Sequence, residues 1–317
     1  MKFGDPVSVL VPVYNRAHLI ERTLGSVCAQ SYRNLEIILV DDCSTDGLEA
    51  AVARVGDKRI NLVRRERNGG VGAARNTGVA AATAELIAFF DSDDICVFDR
   101  IERQVRQLLA LPSEYIGVYS PRLFYNLVEE ATYSRIDCAI RPFPHEGPLS
   151  GDLSARTVQN NIINFPALTV RKSALLAAGP SDELLRNNAD WDLCLRLTRQ
   201  GKFAFDPEPL ILTPNPLKTE GPGPRISRST RHQAQSFARV TGKMRHQGVT
   251  GPALGAHYCT TARKLVLRDR PDAARRFFRA SLAEAPLRPK VWGHFLLSYT
   301  PSLRRYLERM RRKRPSL

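Results

Sequence analysis

The sequence has no apolar run of about 18 residues, the length that a membrane-spanning helix needs. Its six cysteines form no Cys-x-x-Cys pair, which argues against a zinc site or a disulfide framework and favours a reducing compartment. No Gly-x-x-x-x-Gly-Lys-Ser/Thr loop occurs, so a P-loop enzyme is not expected. Residues 1–6 lack the apolar core of a signal peptide. Together these absences predict a cytoplasmic protein.

Acidic residues are scarce in the C-terminal third. Residues 219–317 contain 22 lysines and arginines but only 5 aspartates and glutamates, whereas residues 1–218 contain 25 and 27. The net charge of +15 therefore belongs to the C-terminal part, which predicts two regions with different partners. The basic region is interpreted as a solvated helical surface, as a peripheral contact with anionic membrane lipid, or as a nucleic-acid site. It lacks interleaved aromatic and basic residues, which disfavours nucleic acid.

Strand-like and helix-like segments alternate four times before residue 110. Each apolar, β-branched run is followed by residues at helical spacing. This alternation predicts a three-layer α/β fold with a mostly parallel central sheet. The predicted strands are 7–13, 35–40, 60–63 and 86–90. In the basic region, helices are predicted at 233–248, 256–268, 271–285 and 301–313.

Polar residues follow three of the predicted strands: Tyr14-Asn15, Asp41-Asp42 and the cluster 91–94, Asp-Ser-Asp-Asp. In open α/β sheets, ligands bind outside the carboxyl ends of the strands. Three carboxylates within four residues repel one another unless a cation or a ligand lies between them. The cluster therefore indicates a divalent cation shared with substrate phosphates. The alternative is a solvated loop in which Asp94 or Asp99 caps the next helix.

Five segments resemble, in order, the motifs of the family 2 glycosyltransferases, which have the nucleotide-sugar-binding GT-A fold. The resemblance covers residues 5–215 and implies a GT-A catalytic domain at 1–218, followed by a basic, mainly helical region at 219–317. The segments are VSVLVPVYN at 7–15, LVDDCSTDG at 39–47, NGGVGAARN at 68–76, FDSDD at 90–94 and ADWDLCLRL at 189–197.

The resemblance implies that Pro12 and Tyr14 line the pocket of the nucleotide base. Asp42 would accept a hydrogen bond from the uracil ring nitrogen, and Arg75 would help to hold the nucleotide. Tyr14 could instead be a core aromatic residue at the end of a strand, and Arg75 a surface cation. Asp41 is interpreted as a helix cap or a partner of Arg75.

The resemblance also assigns the chemistry. Asp91 would bind the ribose or the metal, and Asp93, completing the DxD motif, would bind Mn²⁺ or Mg²⁺. Asp94 is interpreted mainly as a helix cap. Asp190 would be the general base, and Trp191 would form an acceptor platform, with a buried core tryptophan as the alternative.

Two departures from the family pattern lie on the acceptor side. Ala189 stands where the family usually has a glutamate before the aspartate, and residues 179–181, Gly-Pro-Ser, replace the usual Gly-Gly-Phe. The resemblance as a whole implies a metal-dependent, inverting transfer from a nucleotide sugar, a UDP-sugar, to a glycan or lipid-linked acceptor in cell-envelope polysaccharide synthesis. The alternatives are a non-catalytic nucleotide-sugar-binding protein and a nucleotidyltransferase.

Overall fold

The structure is a computed structural model that describes residues 2–129, 134–140, 149–214, 230–267, 270–300 and 306. The chain forms two compact units. The first comprises Met1–Leu153 and Ile163–Pro224, and the second comprises Ser154–Ile162 and Arg225–Leu317. The helix predicted at 301–313 lies outside the described residues, apart from Tyr306.

The first unit is built on a seven-stranded sheet with the order β10-β6-β9-β4-β1-β2-β3. All neighbouring strands in it are parallel except β9, which is antiparallel to both β4 and β6. The predicted mostly parallel α/β sheet is therefore confirmed. The strands are β1 Val7–Val13, β2 Leu35–Asp41, β3 Ile60–Arg64, β4 Leu86–Phe89, β6 Tyr115–Tyr119, β9 Leu168–Arg171 and β10 Lys202–Phe205.

Helices follow the strands of this sheet. On α1, Ile20, Leu24 and Val27 lie one helical turn apart and are fully buried in the hydrophobic cluster that contains Val9. This spacing explains why the segment forms an amphipathic helix against the sheet. The helices of the first unit are α1 Ala17–Cys28, α2 Leu48–Val55, α3 Val71–Ala81, α4 Arg100–Leu109, α6 Lys172–Ala178 and α7 Ala189–Leu197.

A second sheet of the first unit has the order β5-β11-β7-β8. The sequence did not predict these strands. The last of them along the chain, β11, contains Pro214, and proline is disfavoured inside strands. β11 pairs in parallel with β7, which lies about 90 positions earlier in the chain; Ile211, for example, is in register with Arg122. The strands are β5 Ile95–Cys96, β7 Arg122–Glu129, β8 Ser134–Ile140 and β11 Ile211–Pro214.

The second unit is helical in the part that the structure describes. Its α9–α10 hairpin has an apolar face on α10, where Ala274, Phe278 and Leu282 are all buried. Helix α11 was not predicted. No helix among the described residues is both long and apolar enough to cross a bilayer. The helices are α5 Ser154–Gln159, α8 Thr230–His246, α9 Gly251–Val266, α10 Pro271–Glu284 and α11 Pro289–Leu297.

Candidate functional site

The three polar segments predicted to converge follow adjacent strands, because β4, β1 and β2 are neighbours in the sheet. Asn15 lies just after β1 and has a left-handed backbone conformation with φ 49°. Its backbone N–H donates to Ser44 Oγ at 2.9 Å, and its side-chain oxygen accepts from the Thr45 N–H at 2.8 Å. These bonds join the loop after β1 to the loop after β2. Tyr14 is 46% exposed beside them, so it is not a core aromatic residue.

Asp42 is buried and held from three sides. Its Oδ1 accepts from the Gly69 N–H at 3.0 Å, its Oδ2 accepts from the Gly70 N–H at 2.7 Å, and Arg65 pairs with Oδ1. The orientation of the Asp42 carboxylate is therefore fixed by the loop before α3. Pro12, at the end of β1, is also buried and pairs in register with Val40.

Arg75 is a buried cation, which corrects the alternative of a surface cation. Its guanidinium carbon lies 4.3 Å from the centroid of the Phe165 ring, and its Nη2 lies 3.7 Å from Asp91 Oδ1. Asp41 has a different partner, because its Oδ2 lies 3.4 Å from Arg64. Arg75 therefore directs its charge at the acidic cluster rather than at Asp41.

The acidic cluster forms a tight turn after β4. The Asp94 N–H donates to the Asp91 carbonyl at 3.2 Å. Thr23, fully buried on α1, presents its hydroxyl to the carbonyls of Ser92 and Asp94 at 3.1 and 3.0 Å. No sequence pattern points to Thr23, since a threonine in an amphipathic helix gives no signal of its own.

Asp94 does not cap a helix, and that prediction is wrong. It precedes the short strand β5, whereas Asp99 occupies the N-cap position of α4 without a side-chain capping bond. The Asp94 side chain is instead buried at 1% exposure, and neither carboxylate oxygen makes a hydrogen bond of normal geometry. Burial raises the pKa of Asp94 to about 8, although Arg122 and the Thr213 hydroxyl lower it.

Asp91 interacts electrostatically with charged side chains of both signs. Its side chain keeps 35% of its surface exposed, but protein surrounds the carboxyl on its other sides, and this desolvation raises its pKa. Arg75 and Arg122 oppose the rise, whereas Asp93 and Asp190 increase it. Asp190 thus acts electrostatically on Asp91, although the two are 99 positions apart in the chain.

Arg122 is a further candidate site residue, which no sequence motif indicated. Its Nε donates to Asn164 Oδ1 at 2.8 Å, and its Nη2 contacts the same oxygen. Asn164 Nδ2 in turn donates to the Ser120 carbonyl at 3.0 Å. The signal was weak because Arg122 lies on β7, one of the strands that the sequence did not predict.

Asp190 lies in the first turn of α7, where the positive end of the helix dipole favours a carboxylate. The turn before it is set by Asn188, which has a left-handed conformation with φ 60°. Further along α7, Arg196 pairs with Asp192 at 2.9 Å and donates to the carbonyls of Gly179 and Pro180 at 2.8 and 2.9 Å. Arg196 therefore fixes the altered 179–181 segment against α7.

Trp191 has only 1% of its surface exposed. Its position on α7 places it in the core, so the ring offers no free face on which an acceptor sugar could stack. This corrects the prediction of an acceptor platform in favour of the core alternative.

A cavity of about 180 Å³ lies between α3, α6 and α7. Arg75 contributes to its wall, so the cavity adjoins the residues around Asp91. Ser181 borders it and is fixed by Asn76, whose Oδ1 accepts from the Ser181 N–H at 2.7 Å. Most of the lining is apolar: Val79, Ala80, Phe89, Leu175, Leu176, Gly179, Pro180 and Leu193, with Arg75, Asn76 and Ser181.

The acidic turn has suitable donors for a divalent cation. Within the described ranges, no group of three or more His, Cys, Asp or Glu side chains is spaced to hold a metal ion by itself. Hard cations nevertheless bind through one or two carboxylates when substrate phosphates supply further oxygens. The two buried Asp94 oxygens, which make no hydrogen bond of normal geometry, would also cost free energy unless a cation, a proton or water satisfies them. The residues present therefore fit Mg²⁺ or Mn²⁺.

The fold recurs in solved structures of other proteins. S. aureus TarS in complex with UDP matches with a TM-score of 0.62 and 17% identity, covering 97% of this chain and 91% of that one. The Pyrobaculum calidifontis mannosyltransferase PcManGT, in complex with GDP-Man and Mn²⁺, matches with a TM-score of 0.59 and 20% identity, covering 95% and 84%. At these identities the likeness establishes the fold alone, which is of the GT-A type.

Residues 8–165 match the model of Glycosyl transferase family 2. The chain belongs to this family, as the five sequence motifs predicted.

Two relatives of similar sequence are named as glycosyltransferases. An uncharacterized glycosyltransferase of Rickettsia prowazekii is 30% identical over 209 residues, which are 66% of this chain and 64% of the relative. The match thus spans less than two thirds of that relative's length. The Escherichia coli UDP-Glc:alpha-D-GlcNAc-diphosphoundecaprenol beta-1,3-glucosyltransferase WfgD is 39% identical over 103 residues, or 32% of this chain and 41% of WfgD.

Proposed function

We propose that this chain is an active, metal-dependent glycosyltransferase that inverts the anomeric carbon. It takes the sugar from a UDP-sugar and attaches it to a hydroxyl of a glycan or lipid-linked acceptor in cell-envelope polysaccharide synthesis. The observation behind the proposal is the electrostatic cluster of Asp91, Asp93 and Asp190 with Arg75 and Arg122 at the carboxyl edge of the sheet. The names of relatives such as WfgD support the donor and acceptor classes.

The nucleotide is proposed to bind between the loops after β1 and β2. The exposed Tyr14 ring flanks the base, and Pro12 lies behind it. Asp42 accepts a hydrogen bond from the uracil N–H, a contact that cytosine, without that proton, does not make. Arg65 and the amides of the next loop keep the Asp42 carboxylate in place for this contact.

The diphosphate is proposed to lie over the acidic turn. Asp91 and Asp93 would hold Mn²⁺ or Mg²⁺, which supplies Lewis-acid neutralisation of the leaving group when bound. Arg75 would add positive charge on the same side. Thr23 would hold the turn in shape through the two main-chain carbonyls that it contacts.

Asp190 is proposed to act as the general base. It would take the proton of the acceptor hydroxyl while that oxygen attacks the anomeric carbon from the side opposite the diphosphate, which inverts the configuration. Asp190 lies at the start of α7, where the helix dipole interacts favourably with a negative charge.

The first experiment measures UDP release from UDP-sugars with Mn²⁺ or Mg²⁺ and a panel of saccharide acceptors. We expect Asp93→Ala to lose metal-dependent UDP binding in calorimetry. Asp190→Asn should retain UDP binding but lose turnover by about 10²–10⁴-fold, the usual contribution of a general base. Asp272→Asn, an exposed carboxylate of the second unit, is the control and should leave both unchanged.

Full turnover in Asp190→Asn would show that the base is another group. Binding of UDP-sugar without turnover of any acceptor would favour a non-catalytic binding protein, for which the missing glutamate at position 189 is the supporting observation. Release of pyrophosphate instead of UDP would indicate a nucleotidyltransferase.

A further inference from the structure

The second unit carries an exposed apolar surface formed by Leu287, Trp292, Leu296 and Tyr299, here called the α11 surface. These side chains are 94%, 46%, 62% and 54% exposed. Trp292 and Leu296 lie one turn apart on α11, whereas Val291, elsewhere around the helix, is buried. We propose that the α11 surface docks onto a bilayer that contains anionic phospholipid. This proposal does not depend on the transferase activity.

The α11 surface is held in shape by its own contacts. The indole N–H of Trp292 donates to the Pro286 carbonyl at 2.9 Å, which joins the loop before α11 to the helix. The Trp292 ring packs edge-on against Phe295 at 6.4 Å between centroids, and Phe295 packs against Tyr299 at 5.6 Å. Since the one polar group of the indole is already satisfied, the part of the ring that faces solvent is apolar. An aromatic ring of this kind suits the interface between lipid headgroups and acyl chains.

Arginines of α10 border these aromatic rings. Arg279 Nη2 donates to the Tyr299 hydroxyl at 3.3 Å, and the guanidinium carbon of Arg275 lies 4.6 Å from the Tyr299 ring centroid. Arg288 and Lys290, at the start of α11, are both exposed. The apolar residues therefore stand beside cations that could meet lipid phosphates.

The surrounding charge favours an anionic partner. The carboxylates that the structure describes in this unit already pair with arginines: Asp272 with Arg275, and Glu284 with Arg245. Few acidic groups remain to neutralise the 22 basic residues of the C-terminal region. A second copy of the chain would bring like charges face to face, which disfavours self-association through this surface. Exposed leucine and tryptophan beside cations match the combination by which proteins bind a lipid surface, apolar burial with electrostatic attraction.

The test uses the full chain in sedimentation with vesicles. One set contains phosphatidylcholine alone, and the other contains equal parts of phosphatidylcholine and phosphatidylglycerol. We expect binding to the anionic vesicles only, with an affinity that falls as salt rises. Leu296→Ser should weaken the affinity for anionic vesicles about tenfold, because burying one leucine side chain in the bilayer contributes roughly a factor of ten to the affinity. The replacement of both Arg279 and Lys290 by Gln should weaken it and flatten the salt dependence.

Leu184→Ser is the matched control, because Leu184 is a similarly exposed leucine, 73%, of the first unit, and it should leave vesicle binding unchanged. Tryptophan fluorescence gives a second readout. Brominated lipid should quench the wild type but not Trp292→Phe, since the remaining tryptophan, Trp191, is buried. The proposal is overturned if anionic vesicles do not bind, or if Leu296→Ser and Leu184→Ser behave alike. It is also overturned if the α11 variants reduce binding to homopolymer RNA or self-association rather than vesicle binding.

Discussion

The packing of α3 on β1 gives the sharpest stability prediction. A methyl group added at Gly78 would lie 2.5 Å from both Cγ and Cδ1 of Leu10 and 3.0 Å from Cδ2. Leu10 is fully buried, and rotation of its terminal methyl groups would not move Cγ away. Gly78→Ala must therefore push α3 away from the sheet, and with it Arg75, one turn earlier on the same helix.

Two opposing effects set the change in the free energy of unfolding that Gly78→Ala causes. Overpacking of a core costs roughly 1–3 kcal/mol, and alanine is favoured over glycine inside a helix by about 1 kcal/mol. Because the added methyl group overlaps Cγ of Leu10, we expect a net loss of about 1–2 kcal/mol in the free energy of unfolding. In a unit of this size the midpoint of thermal unfolding should fall by about 2–8 °C, measured by circular dichroism.

Gly25→Ala is the matched control. Gly25 lies inside α1, and nothing is within 4 Å of the added methyl group, so this substitution should stabilise by about 0.5–1 kcal/mol. If Gly78→Ala stabilises equally, the close approach of α3 to β1 is refuted. In a double-mutant cycle, Leu10→Ala should relieve the overlap, so that the double variant is more stable than the sum of the single losses.

Two further predictions concern the cavity and a buried histidine. Ser181→Phe restores the family's usual residue beside the cavity and should raise the free energy of unfolding by about 1 kcal/mol. This is less than the value for full burial of a phenylalanine, because the cavity is open to solvent. Ser181→Ala is the control and should leave the midpoint of thermal unfolding nearly unchanged. Burial lowers the pKa of His257 from 6.5 to about 4, so the folded state favours the neutral imidazole. The stability that the protein gains from this preference is fully present above pH 6.5. This contribution, roughly 3 kcal/mol at most, is lost as pH falls from 6.5 toward 4; a denaturation series in which His257→Gln shows the same acid loss as the exposed control His246→Gln would contradict the assignment.

Much of the fold was predictable because its signals are local. The buried runs of β1, β2 and β4 and the helical spacing on α1 are periodic patterns that the chain displays without its partners. The second sheet was missed because β11 pairs with β7 across a long separation, and no local pattern records that pairing. Arg122 was missed for the same reason.

The order of the motifs determined the family of this protein, the α/β class and the segments that carry its polar residues, since these depend on residue identity and spacing along the chain. Burial and distance were decided only by the tertiary structure. It placed Trp191 in the core, left the Asp94 carboxylate buried rather than capping a helix, and brought Asp190 within electrostatic reach of Asp91. The physical reason is that desolvation and Coulomb interaction depend on which atoms surround a group in space, and positions far apart in the chain supply those atoms.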